Sequence, residues 1–177
     1  MLNLFIKALK DGVKYPVQAH PSDAGWDIYA TEETIVHPNN PLKLSTGIAL
    51  QAKFADPKDA EKFKIKIQIE GTSGNAAKLK LFPIGGVVDE AYTGEIGVVL
   101  VNGGNDPVKI EKDKKIAQFV PEVLPKINKV VYLGAEDEFG ATERGTAGFG
   151  STGTASDWSK RCFFRSKRTN ICKHNCF

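Results

Sequence analysis

Hydrophobic and polar residues alternate along much of the chain with a period of two. The clearest case lies between residues 63 and 70, where Phe63, Ile65, Ile67 and Ile69 alternate with lysine, glutamine and glutamate. This alternation is typical of a half-buried β-strand, because successive side chains point to opposite faces of a sheet. Further strands are predicted at Leu2–Leu9, Trp26–Ala30, Leu42–Ala52, Glu95–Val101, Lys115–Val123 and Lys129–Leu133.

Residues that favour turns separate the predicted strands. Examples are Asp11-Gly12, Gly85-Gly86 and Thr93-Gly94. Short strands with frequent turns predict an all-β sandwich or barrel. A short helix is predicted at Asp56–Lys62, where Asp56 would be the N-cap and proline would take the first helical position.

The composition is that of an ordinary globular domain. The chain has 177 residues, of which 41% are hydrophobic and 25% charged, enough for one domain with a sizeable core. No apolar run reaches the roughly 18 residues that a membrane helix needs, and the N-terminal segment lacks a signal-peptide pattern. We therefore expect no membrane partner, and a cytoplasmic location or another reducing compartment.

Charge and cysteine separate a tail, residues 154–177, from the rest. The tail has six basic residues and one acidic residue, a net charge of +5, and it contains all three cysteines. Cys162, Cys172, His174 and Cys176 are zinc-ligand types, but their spacing differs from that of the usual paired zinc motifs. We expect a flexible, solvated tail with reduced cysteines. A weak nucleic-acid or protein partner for it stays open.

The segment Arg144–Gly153 combines the parts of a phosphate-binding loop. It holds one arginine, hydroxyl residues, several glycines and an aromatic residue, Phe149, between two glycines. Glycine lets backbone N–H groups approach an anion, arginine binds phosphate through paired hydrogen bonds, and an aromatic ring stacks on a base. We predict a flexible arm that orders over a nucleotide, tethered by the acidic run 134–143. A plain glycine-rich linker is the alternative.

The segment Gly86–Glu95 is predicted to form a β-hairpin with Asp89 and Tyr92 near its turn. A carboxylate at that position could orient a water for attack on phosphorus, and a tyrosine ring could pack against a sugar. Aspartate and tyrosine are also common turn residues. This segment alone therefore does not establish a site.

Five segments of the chain form an ordered set: Ala24–Ala30, Ser73–Lys78, Gly86–Glu95, Lys115–Phe119 and Arg144–Gly153. In order and approximate spacing they closely resemble the five motifs of the homotrimeric dUTP pyrophosphatases (dUTPases). The resemblance covers nearly all of residues 1–153. The hairpin and the glycine-rich arm are its most specific parts.

The resemblance implies an all-β fold, a barrel like a distorted jelly roll, over residues 1–133. Residues 134–153 would be the linker and arm, and the tail lies outside the resemblance. It also implies a homotrimer with shared active sites at the subunit interfaces, the arm reaching a neighbouring subunit. The implied reaction is hydrolysis of dUTP to dUMP and pyrophosphate, which limits uracil in DNA and supplies dUMP. One Mg²⁺ would bridge the triphosphate, largely through water.

Residue roles follow from the resemblance position by position. Asp89 would activate the catalytic water, and backbone groups of Gly86 and Val87 would bind uracil. Tyr92 would stack under the deoxyribose and exclude a ribose hydroxyl. Asp27 would lie near the metal-bound triphosphate.

The remaining assignments concern the phosphates and the arm. Ser73 and Gly74 would contact the phosphates, and Gln118 would lie near the α-phosphate. In the arm, Arg144 would bind the γ-phosphate and the aromatic ring would lie over uracil. The arm residues assigned to the substrate are Arg144, Phe149, Gly150, Ser151 and Thr152.

One motif departs from the family pattern. The second motif of the family usually reads Pro-Arg-Ser-Gly-Leu-Ala, and its arginine contacts the phosphates. Here the aligned segment is Gly71–Ala76, with Thr72 in the place of the arginine. We hypothesise that Lys78 or Lys66 supplies the positive charge, without the bidentate geometry of arginine.

Two other functions stay open at this point. The dCTP deaminases share the barrel, and the chain could instead be a nucleotide-gated regulatory protein built on the dUTPase fold. The missing arginine, the insertion at Asp56–Lys62 and the tail favour regulation, whereas Asp89, Gln118 and the arm favour hydrolysis. We expect a dUTP diphosphatase, with regulation as an added role.

Overall fold

The computed structural model describes residues 1–142 and 145–146 of the chain. This part contains ten strands: β1 (Leu2–Ala8), β2 (Trp26–Tyr29), β3 (Thr34–Val36), β4 (Leu42–Phe54), β5 (Phe63–Glu70), β6 (Leu81–Ile84), β7 (Val87–Asp89), β8 (Glu95–Asn102), β9 (Val108–Ile110) and β10 (Lys115–Pro125). It also contains one α-helical turn, α1 (Asp59–Lys62), and one π-helical turn, Asn75–Leu79. The prediction of an all-β fold is confirmed.

The strands form two four-stranded antiparallel sheets and a small third pair. The first sheet has the order β1-β4-β8-β6, the second has the order β2-β10-β5-β7, and β3 pairs with β9. Buried side chains from all three sheets meet in one core, for example Leu100 of the first sheet, Phe119 of the second and Val36 of the third. The alternating isoleucines of β5 supply the inward face, and all but the first position behave as the period of two predicts.

Most of the predicted strands are present with nearly the predicted bounds. The strand predicted at Lys129–Leu133 is wrong, because these residues form no ladder and Tyr132 is 91% exposed. The predicted helix is present only as α1, which begins three residues after Asp56. Asp56 Oδ1 accepts a hydrogen bond from the N–H of Lys58 at 2.9 Å, so it closes the turn that precedes the helix.

The prediction of a hairpin at Gly86–Glu95 is right about the turn and wrong about the strand pairing. The turn is there, since the N–H of Tyr92 donates to the carbonyl of Asp89 at 3.0 Å. The strands on either side do not pair with each other, because β7 pairs with β5 and β8 pairs with β4 and β6. The segment therefore passes from the second sheet to the first.

Residues 1–130 form one compact unit, and the described residues from Val131 onward belong to a second. In the second unit, the N–H of Gly134 donates to Asp137 Oδ2 at 2.6 Å, and the N–H of Gly145 donates to Thr142 Oγ1 at 3.0 Å. Within residues 1–142 and 145–146, no helix has the length and apolarity that crossing a membrane would require.

Candidate active site

A cavity of about 250 Å³ lies where the chain passes between the two sheets, and we call it the Tyr92 cavity. One wall is the end of β7 with the turn that follows it, and the other wall is the start of β8 with a side chain from β4. The lining residues are Lys43, Val87, Val88, Asp89, Tyr92, Glu95, Ile96 and Gly97. The structure thus brings three predicted site residues, Val87, Asp89 and Tyr92, into one cavity.

Local contacts fix the tyrosine ring at this cavity. Tyr92 Oη donates to the carbonyl of Glu95 at 2.9 Å. A Cβ at Gly94 would overlap the same ring, so only glycine leaves room for it. The ring is 48% exposed, which leaves part of its surface free for stacking against a ligand.

Glu95 anchors the β8 wall of the cavity. Its Oε1 accepts hydrogen bonds from Ser45 Oγ and, at 2.8 Å, from the N–H of Gly47. Gly47 has φ of 67° and lies where the register of β4 against β8 shifts. The hydrogen bond from Ser45, followed by that from Gly47, lowers the pKa of Glu95. Its carboxylate therefore remains ionised and joined to β4.

Gly86 lies next to the cavity where two backbones approach closely. The N–H of Ile69 donates to the carbonyl of Gly86 at 2.7 Å. A Cβ at Gly86 would overlap the carbonyl oxygen of Ile69. Glycine is therefore required here by packing, and the adjoining Val87 is 60% exposed.

No motif or spacing in the sequence identifies Lys43 as a site residue. Its aliphatic chain crosses Gly97, where a Cβ would overlap it, and it lines the Tyr92 cavity. The register that places it there, Lys43 opposite Val99, depends on sheet pairing. A period of two predicts which face a lysine occupies and not which strand lies beside it.

Two further predicted site residues, Asp27 and Gln118, lie on the second sheet. They belong to a group that we call the Gln118 cluster: Gly25, Asp27, Gly71, Lys115 and Gln118. Gln118 is paired with Asp27 on β2 and with Glu70 on β5. Its Nε2 donates to the carbonyl of Gly71 at 3.0 Å. Its carboxamide packs so closely on Gly25 that a Cβ there would overlap it.

Asp27 is buried and forms an ion pair with Lys115, with 2.6 Å between Oδ2 and Nζ. Burial, then the charge of Asp27, raises the pKa of the neighbouring Tyr29. Among the described residues, no group of three or more His, Cys, Asp or Glu side chains could hold a metal ion. The carboxylate of Asp27 therefore has a protein cation as its partner, and a protein cage for a metal is not found in this part of the chain.

Ser73 and Gly74 lie exposed at the start of the helical turn that continues through Asn75–Leu79. Of the two lysines considered as replacements for the missing arginine, Lys66 is engaged: Nζ lies 3.2 Å from Glu122 Oε2 and donates to Gln68 Oε1 at 3.0 Å. Lys78 is exposed and forms no ion pair with any residue that the structure describes.

The two groups are separate within one chain. The strand β5 connects them, since Ile69 contacts Gly86 while the next residue, Glu70, pairs with Gln118. Asp89 pairs with Lys66 on the same strand. Lys66 precedes Glu70 by four residues, so the two pairing positions are about 13 Å apart along β5. The predicted arm residues Arg144, Phe149, Gly150, Ser151 and Thr152 lie outside the described residues, as does the cysteine-containing tail.

Comparison with known proteins identifies the family of this chain. The dUTPase family model matches residues 11–153. The deoxyuridine 5'-triphosphate nucleotidohydrolase of Alkaliphilus metalliredigens is 37% identical over 155 residues, which cover 86% of this chain and 99% of that protein. The enzyme of the same name from Clostridium tetani is 37% identical over 153 residues, covering 85% and 96%.

Solved structures show the same fold. The dUTPase of Staphylococcus bacteriophage 80alpha, solved with dUPNHPP, matches with a TM-score of 0.69 at 23% identity and covers 86% of this chain and 99% of that one. The dUTPase of phage phi11 of S. aureus matches with a TM-score of 0.61 at 19% identity, covering 77% and 99%. Because the family model matches most of its length and a relative 37% identical aligns over 86% of it, this chain belongs to the dUTPase family.

Proposed function

We propose that this protein hydrolyses dUTP to dUMP and pyrophosphate. The observation that carries the proposal is the Tyr92 cavity, which brings Asp89 and Tyr92 together beside the exposed start of β7. Relatives that match this chain over nearly their whole length are named for this activity. The geometry supplies a place for a nucleoside next to a carboxylate.

In this proposal the nucleoside enters the Tyr92 cavity. Backbone groups of Gly86 and Val87 bind uracil, and their rigid approach to β5 leaves little room for a methyl group on the base. The ring of Tyr92, held by Glu95 and Gly94, packs against the deoxyribose. Exclusion by fixed walls discriminates better than small differences in apolar contact.

Asp89 is the general base in this proposal. Its side chain is exposed at the end of β7, where it can accept a proton from a water that attacks the α-phosphorus. Negative charge then grows on the phosphate oxygens and the leaving pyrophosphate. Positioning and electrostatic stabilisation therefore supply most of the rate enhancement.

Mg²⁺ is proposed to arrive with the triphosphate. A structural Mg(II) ion is described for the phage phi11 dUTPase. The described residues of this chain lack a three-ligand cluster, and Asp27 already binds Lys115. They fit Mg²⁺ only as an ion held by the substrate, with Asp27 in contact through water. When bound, Mg²⁺ neutralises phosphate charge.

Assembly as a homotrimer with shared active sites is part of the proposal. The Tyr92 cavity does not contain Ser73 or Gln118, so a second copy of the chain is proposed to place these residues at the phosphates. The arm, residues 134–153, would then add Arg144 and Phe149. The barrel would span residues 1–133, and the tail, residues 154–177, is assigned no role in catalysis.

The test is pyrophosphate release from dUTP with Mg²⁺, beside dCTP, dTTP and UTP at equal concentrations. Selective turnover of dUTP is expected. Deamination of dCTP would favour the deaminase alternative. Binding of dUTP without turnover would favour a nucleotide-gated regulator.

Asp89→Asn tests the mechanism directly. This variant is expected to retain dUTP binding and lose at least about two orders of magnitude in kcat, since general-base catalysis contributes about 10²–10⁴-fold. Asp113→Asn is the matched control, because Asp113 is exposed, lies outside both groups and has φ of 63°, which asparagine tolerates. Near-normal turnover by Asp89→Asn would remove Asp89 from the mechanism.

A further inference from the structure

Asn75 is a buried amide at the beginning of the π-helical turn, only 8% exposed. It directly follows Ser73 and Gly74 in the second motif. Apolar residues are the usual occupants of buried positions, and burying an amide is unfavourable unless it forms hydrogen bonds. The family pattern has leucine here. The contacts of Asn75 therefore indicate why this chain has an amide.

The side chain of Asn75 binds an irregular point in β10. Its Nδ2 donates to the carbonyl of Lys115 at 3.1 Å and to the carbonyl of Ile116 at 3.2 Å. The register of β10 against β2 shifts between Lys115 and Ala117. A bulge disrupts the ladder locally, and at this point one amide binds two successive carbonyls.

Both ends of this bulge belong to the Gln118 cluster. Lys115 forms the ion pair with Asp27, and Gln118, two residues after Ile116, donates to the carbonyl of Gly71. A shift of the bulge by one residue would turn Gln118 to the other face of the sheet. Asn75 thus holds the register that places Gln118.

The backbone of the turn is fixed by the other departure from the family pattern. Thr72 Oγ1 accepts a hydrogen bond from the N–H of Asn75 at 3.3 Å, and the carbonyl of Thr72 accepts one from Ala76 at 3.0 Å. The residue in the place of the arginine therefore closes the turn, and the residue in the place of leucine connects that turn to β10.

We propose that Asn75 is a positioning residue for the triphosphate end of the site, joining the turn that carries Ser73 and Gly74 to the strand that carries Gln118. The inference rests on the proposed function, because it assigns these three residues to the phosphates. A leucine at this position has the same branching and number of heavy atoms, but it cannot donate to the two carbonyls.

A purely structural role predicts a different outcome, and Asn102 provides the matched control. Asn102 is fully buried, and its Nδ2 donates to two carbonyls, those of Val36 at 2.9 Å and Asp106 at 2.8 Å. Neither acceptor belongs to the Tyr92 cavity or the Gln118 cluster. The same substitution at the two asparagines removes the same kind of contact.

The experiment measures two affinities for the full chain and for Asn75→Asp, Asn75→Leu and Asn102→Asp. One ligand is the α,β-imido analogue of dUTP, and the other is deoxyuridine, which has no phosphate and reports on the nucleoside cavity alone. Each Asn75 variant is expected to bind the analogue about tenfold more weakly, the effect of losing one hydrogen bond to a charged group, and deoxyuridine within about twofold of the wild type. Asn102→Asp is expected to lower Tm and change both affinities equally.

An unchanged ratio of the two affinities in the Asn75 variants would overturn the inference, as would an equal change of that ratio in Asn102→Asp. If Asn75→Asp fails to fold, Asn75→Leu gives the same comparison without a buried charge. Pyrophosphate release by the wild type is measured in parallel. Its absence would count against the proposed function, whereas normal release with an unchanged ratio would count against Asn75 alone.

Discussion

Replacing Gly25 with alanine tests how the site is packed. Gly25 is buried beside the carboxamide of Gln118, and its backbone is not in the left-handed region. An added Cβ would overlap Oε1 and lie 2.9 Å from Cδ of Gln118. The carboxamide must therefore rotate, and its 3.0 Å hydrogen bond to the carbonyl of Gly71 is lost.

The expected change in stability is small. Losing a neutral hydrogen bond costs about 0.5–1.5 kcal/mol, whereas replacing glycine with alanine gains about 0.4–1 kcal/mol by restricting the unfolded chain. The two effects largely cancel. The expected effect on catalysis is larger, because a displaced Gln118 would lose the phosphate hydrogen bond that we propose for it. Such a bond to a charged group contributes about 1.5–3 kcal/mol, or roughly 10–150-fold in kcat/KM.

The assay is a double-mutant cycle of Gly25→Ala, Gln118→Ala and the double variant, with kcat/KM for dUTP and Tm measured for each. Gly103→Ala is the control, since Gly103 lies outside both groups and an added Cβ there would come no closer than 3.2 Å to its nearest neighbour, the exposed ring of Phe82. If Gly25 acts only by making room for Gln118, the glycine substitution has almost no effect once Gln118 is alanine. If the loss in the double variant equals the sum of the losses in the two single variants, the reasoning is refuted.

Two other substitutions test separate parts of the site. Glu95→Gln removes a carboxylate whose pKa is lowered by hydrogen bonds from Ser45 and Gly47. Because its pKa is lower in the folded state, the ionised carboxylate stabilises the fold. This stabilisation is fully present above the unfolded pKa of about 4.3 and disappears as pH falls through the lower folded pKa. Thermal unfolding should therefore show a lower Tm than wild type at pH 7 and a smaller difference near pH 3, and a constant difference would contradict the assignment. Lys78→Ala should lower kcat/KM for dUTP at least about tenfold if Lys78 replaces the missing arginine, with Lys80→Ala as the control; a change within about twofold would exclude that role.

Strands were predictable where a single strand has one buried face. The isoleucines of β5 alternate with polar residues, and the structure buries Ile65, Ile67 and Ile69. The apolar run at Lys129–Leu133 also predicted a strand, but Tyr132 and its neighbours are exposed. Local pattern describes a residue and its own strand, whereas the existence of a strand also depends on a partner that the pattern does not contain.

The position of Asp89 and Tyr92 at one turn was predictable from the sequence, whereas most contacts around the predicted site residues were not. Asp89 and Tyr92 were correctly placed at a turn, but the two flanking strands belong to different sheets. The ion pair between Asp27 and Lys115 joins residues that are 88 positions apart in the sequence. A local hydrophobic pattern cannot predict such a long-range contact. The contacts of Asn75 could not be predicted from the sequence either, because its side chain donates hydrogen bonds to two carbonyls of a strand 40 residues away.

The passage of the chain from β7 to β8 has a consequence for the stability of the whole domain. Because the two walls of the Tyr92 cavity come from different sheets, a nucleotide bound there acts as a cross-link that opposes their separation. Ligand at 100 times its Kd stabilises a folded protein by about 2.7 kcal/mol. A core variant such as Val98→Ala would then unfold less readily in the presence of nucleotide, and the amount of folded enzyme would follow the supply of the molecule that it consumes.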